Sequence, residues 1–132
     1  TKTGTKMKNI AYIDDNKECL EIVKDFFSQK GIEIDIFDDP IFFYNTKECY
    51  KVVISDFYMP IINGQDILKL LKERNPRIKT IIYSGMVEGI EVKNLDIDTY
   101  LSKPLDFDML FNVVRFLMHE YDKETQSEKA AS

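Results

Sequence analysis

The chain has 132 residues, the size of one domain, and two cores do not fit in that length. Apolar residues at 44% and charged residues at 31% describe a globular chain and exclude a disordered one. Eighteen Lys+Arg against 23 Asp+Glu give a net charge of -5, and with no basic run the chain is a poor candidate for gripping a nucleic-acid backbone, which leaves open that it belongs to a larger nucleic-acid-binding protein.

No stretch approaches the roughly 20 apolar residues of a membrane helix. Thr1 to Lys8 is polar and lacks the apolar centre of a signal peptide. Thr1–Lys6 also precedes the first Met, Met7, so residues 1–7 are expected to be disordered or appended. Cys19 and Cys49 are too few for a disulfide framework, and the single His119 cannot complete a zinc site with them. They are expected to be small buried thiols in a reducing cytoplasm.

Strands alternate with helices along the chain. Lys8–Ile13 is a short apolar strand that stops at Asp14 and Asp15. From Asn16 to Lys30 the apolar residues Leu20, Ile22, Val23, Phe26 and Phe27 fall at helical spacing, and Gly31 ends the helix. Ile32, Ile34 and Ile36 alternate with acids and predict a second strand. Asp39 caps a helix with Pro40 in its first turn, running over Ile41–Cys49. Its Phe42–Tyr44 cluster reads as core. The β-branched run Val52, Val53 and Ile54 suits a central parallel strand and ends at Ser55 and Asp56.

Met59, Pro60 and Gly64 shape the loop that follows. Gln65–Arg74 is a helix closed by Asn75 and Pro76. Thr80–Tyr83 is a fourth strand, ending at Ser84 and Gly85. Met86–Leu95 predicts a short or distorted fourth helix, and Thr99–Leu101 a fifth strand ending at Lys103 and Pro104. Phe107–Tyr121 is an amphipathic fifth helix with Leu110, Val113, Val114, Leu117 and Met118 facing in, and His119 at its end suits the helix dipole. Asp122–Ser132 is polar, without period, and is expected to fray as a tail.

Such alternation implies an α/β fold: a doubly wound, five-stranded parallel sheet with helices on both faces. In these folds the working residues lie beyond the carboxyl ends of the strands. There the sequence places Asp14, Asp15, Asp56, Ser84 and Lys103. Three close carboxylates repel one another unless a cation sits among them, and an oxygen-only set suits Mg²⁺. Lys103 adds a positive charge and Ser84 a hydroxyl donor. Metal, ammonium and hydroxyl around one carboxylate make a phosphoryl-transfer site.

The segments IAYIDD, VVISDFYMPIINGQDIL, IIYSG and YLSKPL, in this order and spacing, resemble the receiver domain of bacterial two-component response regulators, of the chemotaxis-regulator type. The resemblance covers about residues 8–121. It implies a flavodoxin-like sheet of order 2-1-3-4-5, with Asp56 as phosphoacceptor. Asp15, Asp56 and the backbone carbonyl of Tyr58 would hold Mg²⁺ directly, with Asp14 acting mainly through a water and Mn²⁺ as a substitute metal. Lys103 would bridge to the phosphoryl group, and Ser84 and Tyr100 would form the switch. Tyr58 and Met86 occupy the positions that tune dephosphorylation.

The resemblance also implies partners. A histidine kinase or phosphotransfer protein would supply the phosphoryl group. The face built by the fourth helix, fifth strand and fifth helix would contact a downstream effector or a linked output domain. The expected setting is cytoplasmic, with no direct nucleic-acid or membrane contact, as a monomer or a phosphorylation-dependent dimer. With no room for an effector domain in 132 residues, the signal is expected to pass by contact. Catalysis would be limited to the chain's own phosphorylation and dephosphorylation.

Two departures fall on the output region. Asp96 and Ile97 stand where many relatives have Gly-Ala, and the segment from Ser84 to Lys103 is somewhat short. The competing reading is a pseudo-receiver scaffold that never takes phosphate, though all five pocket positions are filled. A dehalogenase-like phosphatase resembles Asp-x-Asp with a cap insertion, which this chain lacks. The first loop lacks the phosphate cradle of flavodoxins, and no Gly-x-Gly-x-x-Gly marks a dinucleotide site.

Overall fold

The computed structural model describes residues 7–85, 97–103 and 106–131. Strands β1 (Lys8–Ile13), β2 (Asp35–Phe37), β3 (Tyr50–Ser55), β4 (Lys79–Ser84) and β5 (Thr99–Ser102) form one sheet of order β2-β1-β3-β4-β5. Every pairing is parallel. The expected fold class and strand order hold. The described helices are α1 (Lys17–Gln29), α2 (Pro40–Thr46), α3 (Gly64–Arg74) and α4 (Phe107–Ala131). The expected helix over Met86–Leu95 lies outside the described residues, so α4 is the fifth helix of the sequence reading.

Strand alternation divides the core in two. Ile10, Tyr12, Val52, Ile54, Ile81 and Tyr83 pack with Leu20, Val23 and Phe27 of α1 and Leu110, Val114 and Leu117 of α4. Ala11, Ile13, Val53 and Ile82 pack on the opposite face with Phe43 of α2 and Ile67, Leu68 and Leu71 of α3. Successive strand residues point to opposite faces, so a continuous apolar run fills both layers.

Asp39 and Gly31 act as the sequence predicts, and Asn16, placed inside the helix by its sequence, is the cap of α1. Asn16 accepts from the Cys19 amide at 3.1 Å, and Asp39 accepts from the Ile41 and Phe42 amides at 2.9 and 3.2 Å. Gly31 sits at φ 83° beyond α1, a left-handed conformation that glycine adopts at no steric cost.

Several expectations need correction. Ile22 is 52% exposed. It lies about 200° around the helix from Leu20, while Leu20, Val23 and Phe27 share one line. Phe26 is half-buried against Phe107 and Phe111. The second strand is only Asp35–Phe37, because this edge strand pairs with β1 over Ala11–Ile13 alone. α2 ends at Thr46, where Lys47 turns left-handed at φ 59°. Within its aromatic cluster Phe43 is buried, but Phe42 is exposed. Cys19 and Cys49 are free and partly exposed, since one opens α1 and the other lies just before β3.

The largest correction is α4, which does not fray at Asp122 but continues to Ala131. Basic residues at the amino ends of β3 and β4 hold the extension. Lys51 pairs with Asp122 at 2.9 Å, and Lys79 with Glu124 at 2.6 Å. Arg77 pairs with Glu124 and Glu128. His119 therefore lies inside the helix, exposed, and not at its carboxyl terminus.

Candidate functional site

The carboxyl ends of β1, β3, β4 and β5 carry the five expected side chains. Sheet-like backbone bonds continue one residue past the strands. The amide of Asp14 donates to the Phe37 carbonyl, that of Asp56 to the Ile13 carbonyl, and that of Lys103 to the Ser84 carbonyl. These bonds fix Asp14, Asp56 and Lys103 side by side. One oxygen from each of Asp14, Asp15 and Asp56 lies within 4.8 Å of the others. Asp14 is fully buried, Asp56 half-buried and Asp15 exposed.

Asp14 is the most heavily engaged. Its Oδ2 accepts from Lys103 Nζ at 2.6 Å and from the Tyr12 hydroxyl at 2.7 Å. Its Oδ1 accepts from the Asn16 amide at 2.9 Å. Lys103 Nζ also stands 3.9 Å from Asp56 Oδ1 and 5.4 Å from the centroid of the Tyr83 ring. Burial alone would lower the Lys103 pKa, but Asp14 and Asp56 together hold it above the ordinary lysine value.

Asp56 is raised above the ordinary carboxylate range, first by burial and second by the negative charge of Asp14. Lys103, the Ser84 hydroxyl and the Phe57 amide pull it back only in part. Among the described residues, three carboxylates against one ammonium leave an excess of negative charge. This acceptor-only set fits a hard divalent cation with oxygen ligands and retained waters.

The loop after β3 is shaped by one close approach. A Cβ on Gly64 would lie 2.1 Å from the Asp56 carbonyl oxygen and 3.0 Å from Ser55 Oγ. Only glycine lets the amino end of α3 sit against the Asp56 backbone. Asn63 caps α3 by accepting from the Asp66 amide at 2.8 Å, and the Gly64 amide donates to the Phe57 carbonyl at 2.8 Å. Tyr58 is 53% exposed, with its ring edge-on to Phe57. Ile61 is 91% exposed and held at φ 76°, a strained conformation for a β-branched residue.

Ser84 is buried at the end of β4. Tyr100 points to the α2/α3 face, where its hydroxyl donates to Gln65 Oε1 at 3.0 Å. Burial raises its pKa. Before β5, Asp98 accepts from the Thr80 amide at 2.8 Å, and Lys72 pairs with it at 3.4 Å. Ile97 is buried in the α2/α3 core. Asp96 and Met86 lie outside the described residues.

Asp14, Asp15, Asp56, Ser84 and Lys103 are thus brought to one end of the sheet, with Tyr58 on the adjacent loop. Tyr100 of β5 points away from this set, its hydroxyl on Gln65 of α3. Sequence reading passed over Tyr12, Tyr83 and Gln65. The available signal was a tyrosine two residues before an aspartate on one strand, which puts both on the same face.

The chain belongs to the family described as response regulator receiver domain, which it matches over residues 10–115. It is similar to the transcriptional regulatory protein CusR of Escherichia coli, with 27% identity over 114 residues, covering 80% of this chain and 49% of CusR. The chain therefore spans about half the length of that relative. The response regulator TrrA of Thermotoga maritima, solved in complex with Mg(2+)-BeF, superposes with a TM-score of 0.76 at 25% identity, covering 84% of this chain and 99% of that one. A CheY-like receiver domain protein from Methanospirillum hungatei shares the fold, with a TM-score of 0.79 at 21% identity over 90% and 99% of the two chains. The protein is a receiver domain of the two-component response regulator class.

Proposed function

We propose that Asp56 accepts a phosphoryl group from a histidine kinase or a phosphotransfer protein, with Mg²⁺ bound at the same site. The observation that carries this reading is the set Asp14, Asp15 and Asp56 within 4.8 Å, with the Lys103 ammonium near both Asp14 and Asp56. Asp15, Asp56 and the Tyr58 carbonyl would hold the metal directly, and Asp14 through a water. When bound, the cation neutralises charge on the phosphoryl oxygens.

The chain's own groups do the rest. A carboxylate oxygen of Asp56 attacks phosphorus, and the bond from phosphorus to the donor's imidazole nitrogen breaks. Lys103 moves its ammonium from Asp14 toward the transferred group and balances its charge. Ser84 donates its hydroxyl to a phosphoryl oxygen. That donation links Asp56 to the switch, in which Tyr100 leaves its bond to Gln65 and changes rotamer. The output face then includes β5 and α4, for contact with an effector or a linked output domain. Water later attacks the phosphorus, releasing phosphate and restoring the carboxylate.

The large side chains of Tyr58 and Met86 hinder that water and lengthen the life of the aspartyl phosphate. Replacing each with Ala or Asn should speed decay of the phosphorylated protein, and unchanged or slower decay would remove this role.

The central test is incubation with Mg²⁺ and acetyl phosphate or beryllium fluoride, comparing wild type with Asp56→Asn. An acid-labile adduct in wild type that vanishes in Asp56→Asn is the expected result. No adduct together with no Mg²⁺ binding would replace this reading with a scaffold role.

A further inference from the structure

Tyr12 is fully buried on the α1/α4 face of β1, an apolar layer where a phenol needs a partner. Its hydroxyl donates to Asp14 Oδ2 at 2.7 Å, the same oxygen that Lys103 occupies at 2.6 Å. The ring packs at 6.3 Å, centroid to centroid, against Tyr83, whose own ring lies beneath the Lys103 ammonium. Asp14 thus has two side-chain donors on one oxygen, an ammonium on a long flexible stem and a phenol whose ring is packed in the core. The only other donor it receives among the described residues is the Asn16 amide.

We propose that Tyr12 is a positioning residue that keeps the buried Asp14 carboxylate hydrogen-bonded and oriented when Lys103 leaves it for a bound phosphoryl group. The proposal rests on the phosphoacceptor reading above and names a residue in its machinery. A buried carboxylate that loses its ammonium partner is costly, and the cost grows with each lone pair left unmade. Lys103 can move only if something stays behind. The Tyr12 phenol is anchored by its ring, packed on Tyr83 within the core, and stays within hydrogen-bond reach of Asp14. Without its hydroxyl, Asp14 would hold Lys103 more tightly and release it less readily.

The test compares wild type, Tyr12→Phe, Lys103→Met and the double variant. Phenylalanine keeps the ring packing and removes only the hydroxyl. Two measurements are made on each protein: the urea unfolding midpoint without metal, and the affinity for beryllium fluoride with Mg²⁺. Tyr12→Phe is expected to unfold near the wild-type midpoint while binding beryllium fluoride about tenfold more weakly, the scale of one unsatisfied buried acceptor. In the Lys103→Met background, loss of the Tyr12 hydroxyl should lower the urea midpoint far more than it does alone.

Beryllium fluoride binding to Tyr12→Phe at wild-type affinity would overturn the proposal. So would additive effects on the midpoint. If wild type itself binds no beryllium fluoride, the phosphoacceptor reading fails, and the urea cycle alone decides the placement of Tyr12: a non-additive cycle supports it and an additive one overturns it.

Discussion

At the carboxyl ends of the strands, Asp14, Asp15 and Asp56 cluster, and among the described residues Lys103 is the lysine paired with Asp14 and Asp56. At the amino ends, Lys51, Arg77 and Lys79 each meet an acid on α4, and Lys8 lies between Asp35 and Glu48. One sheet therefore carries two charge regimes. Where charges are matched, they hold a helix in place. Where acids outnumber bases, the fold accepts repulsion, and Asp56 is raised as a result. An excess of carboxylates of this kind suits a cation among them.

The sharpest way to break the contrast is Lys103→Met. It strips the fully buried Asp14 of its charged partner, and urea unfolding without metal should register a loss of about 3–5 kcal/mol. Added Mg²⁺ should recover part of it. Gly64→Ala comes next. The added methyl collides with the Asp56 backbone, which cannot yield as a side chain would, and about 2–3 kcal/mol should be lost. A wild-type melting curve for this variant would mean that the loop relaxes freely.

Each end also holds a buried phenol on a carboxylate: Tyr12 on Asp14, and Tyr50 on Asp35 at 2.5 Å. Burial, then Asp35, raises Tyr50 above its ordinary pKa of 10.0. A raised folded-state value favours the neutral form. Its contribution to stability is complete below pH 10 and is lost as pH rises toward the folded value. Stability should fall by up to about 1.4 kcal/mol per pH unit above 10 from this group alone. Tyr50→Phe should make that decline shallower, and an unchanged slope would remove Tyr50 as its source.

Two smaller effects carry opposite signs at the two ends. Glu124→Gln weakens the matched end and should cost about 1 kcal/mol, less at high salt. Asp56→Asn relieves repulsion and removes a carboxylate that burial and Asp14 hold above its ordinary range, so it should stabilise the metal-free protein. Destabilisation by Asp56→Asn in the absence of metal would contradict the charge imbalance described here.

The imbalanced end was legible in the sequence because its residues stand at fixed offsets from strand ends. Asp14, Asp15, Asp56, Ser84 and Lys103 each follow an apolar run, and parallel topology carries all of them to one edge. The matched end was not legible. The helical extension 122–131 has no apolar period, and its partners Lys51, Arg77 and Lys79 are far away in the chain, so nothing local marks it as helix. Tyr12 was hidden for a different reason. In an apolar strand a tyrosine reads as core, and only the position of Asp14 on the same face gives its hydroxyl a task.

Helix α4 joins the two regimes. Its 25 residues span about 37 Å, long enough to pass from the carboxyl ends of the strands to their amino ends. Phe107 in its first turn packs on Phe26, its middle is sunk in the core that contains Tyr12 and Tyr83, and its last turns grip β3 and β4 through ion pairs. In mechanical terms it is a beam seated along its length and bolted at the far end. A beam of this kind resists bending, and the ion pairs at Lys51, Arg77 and Lys79 are what hold its far end against the sheet.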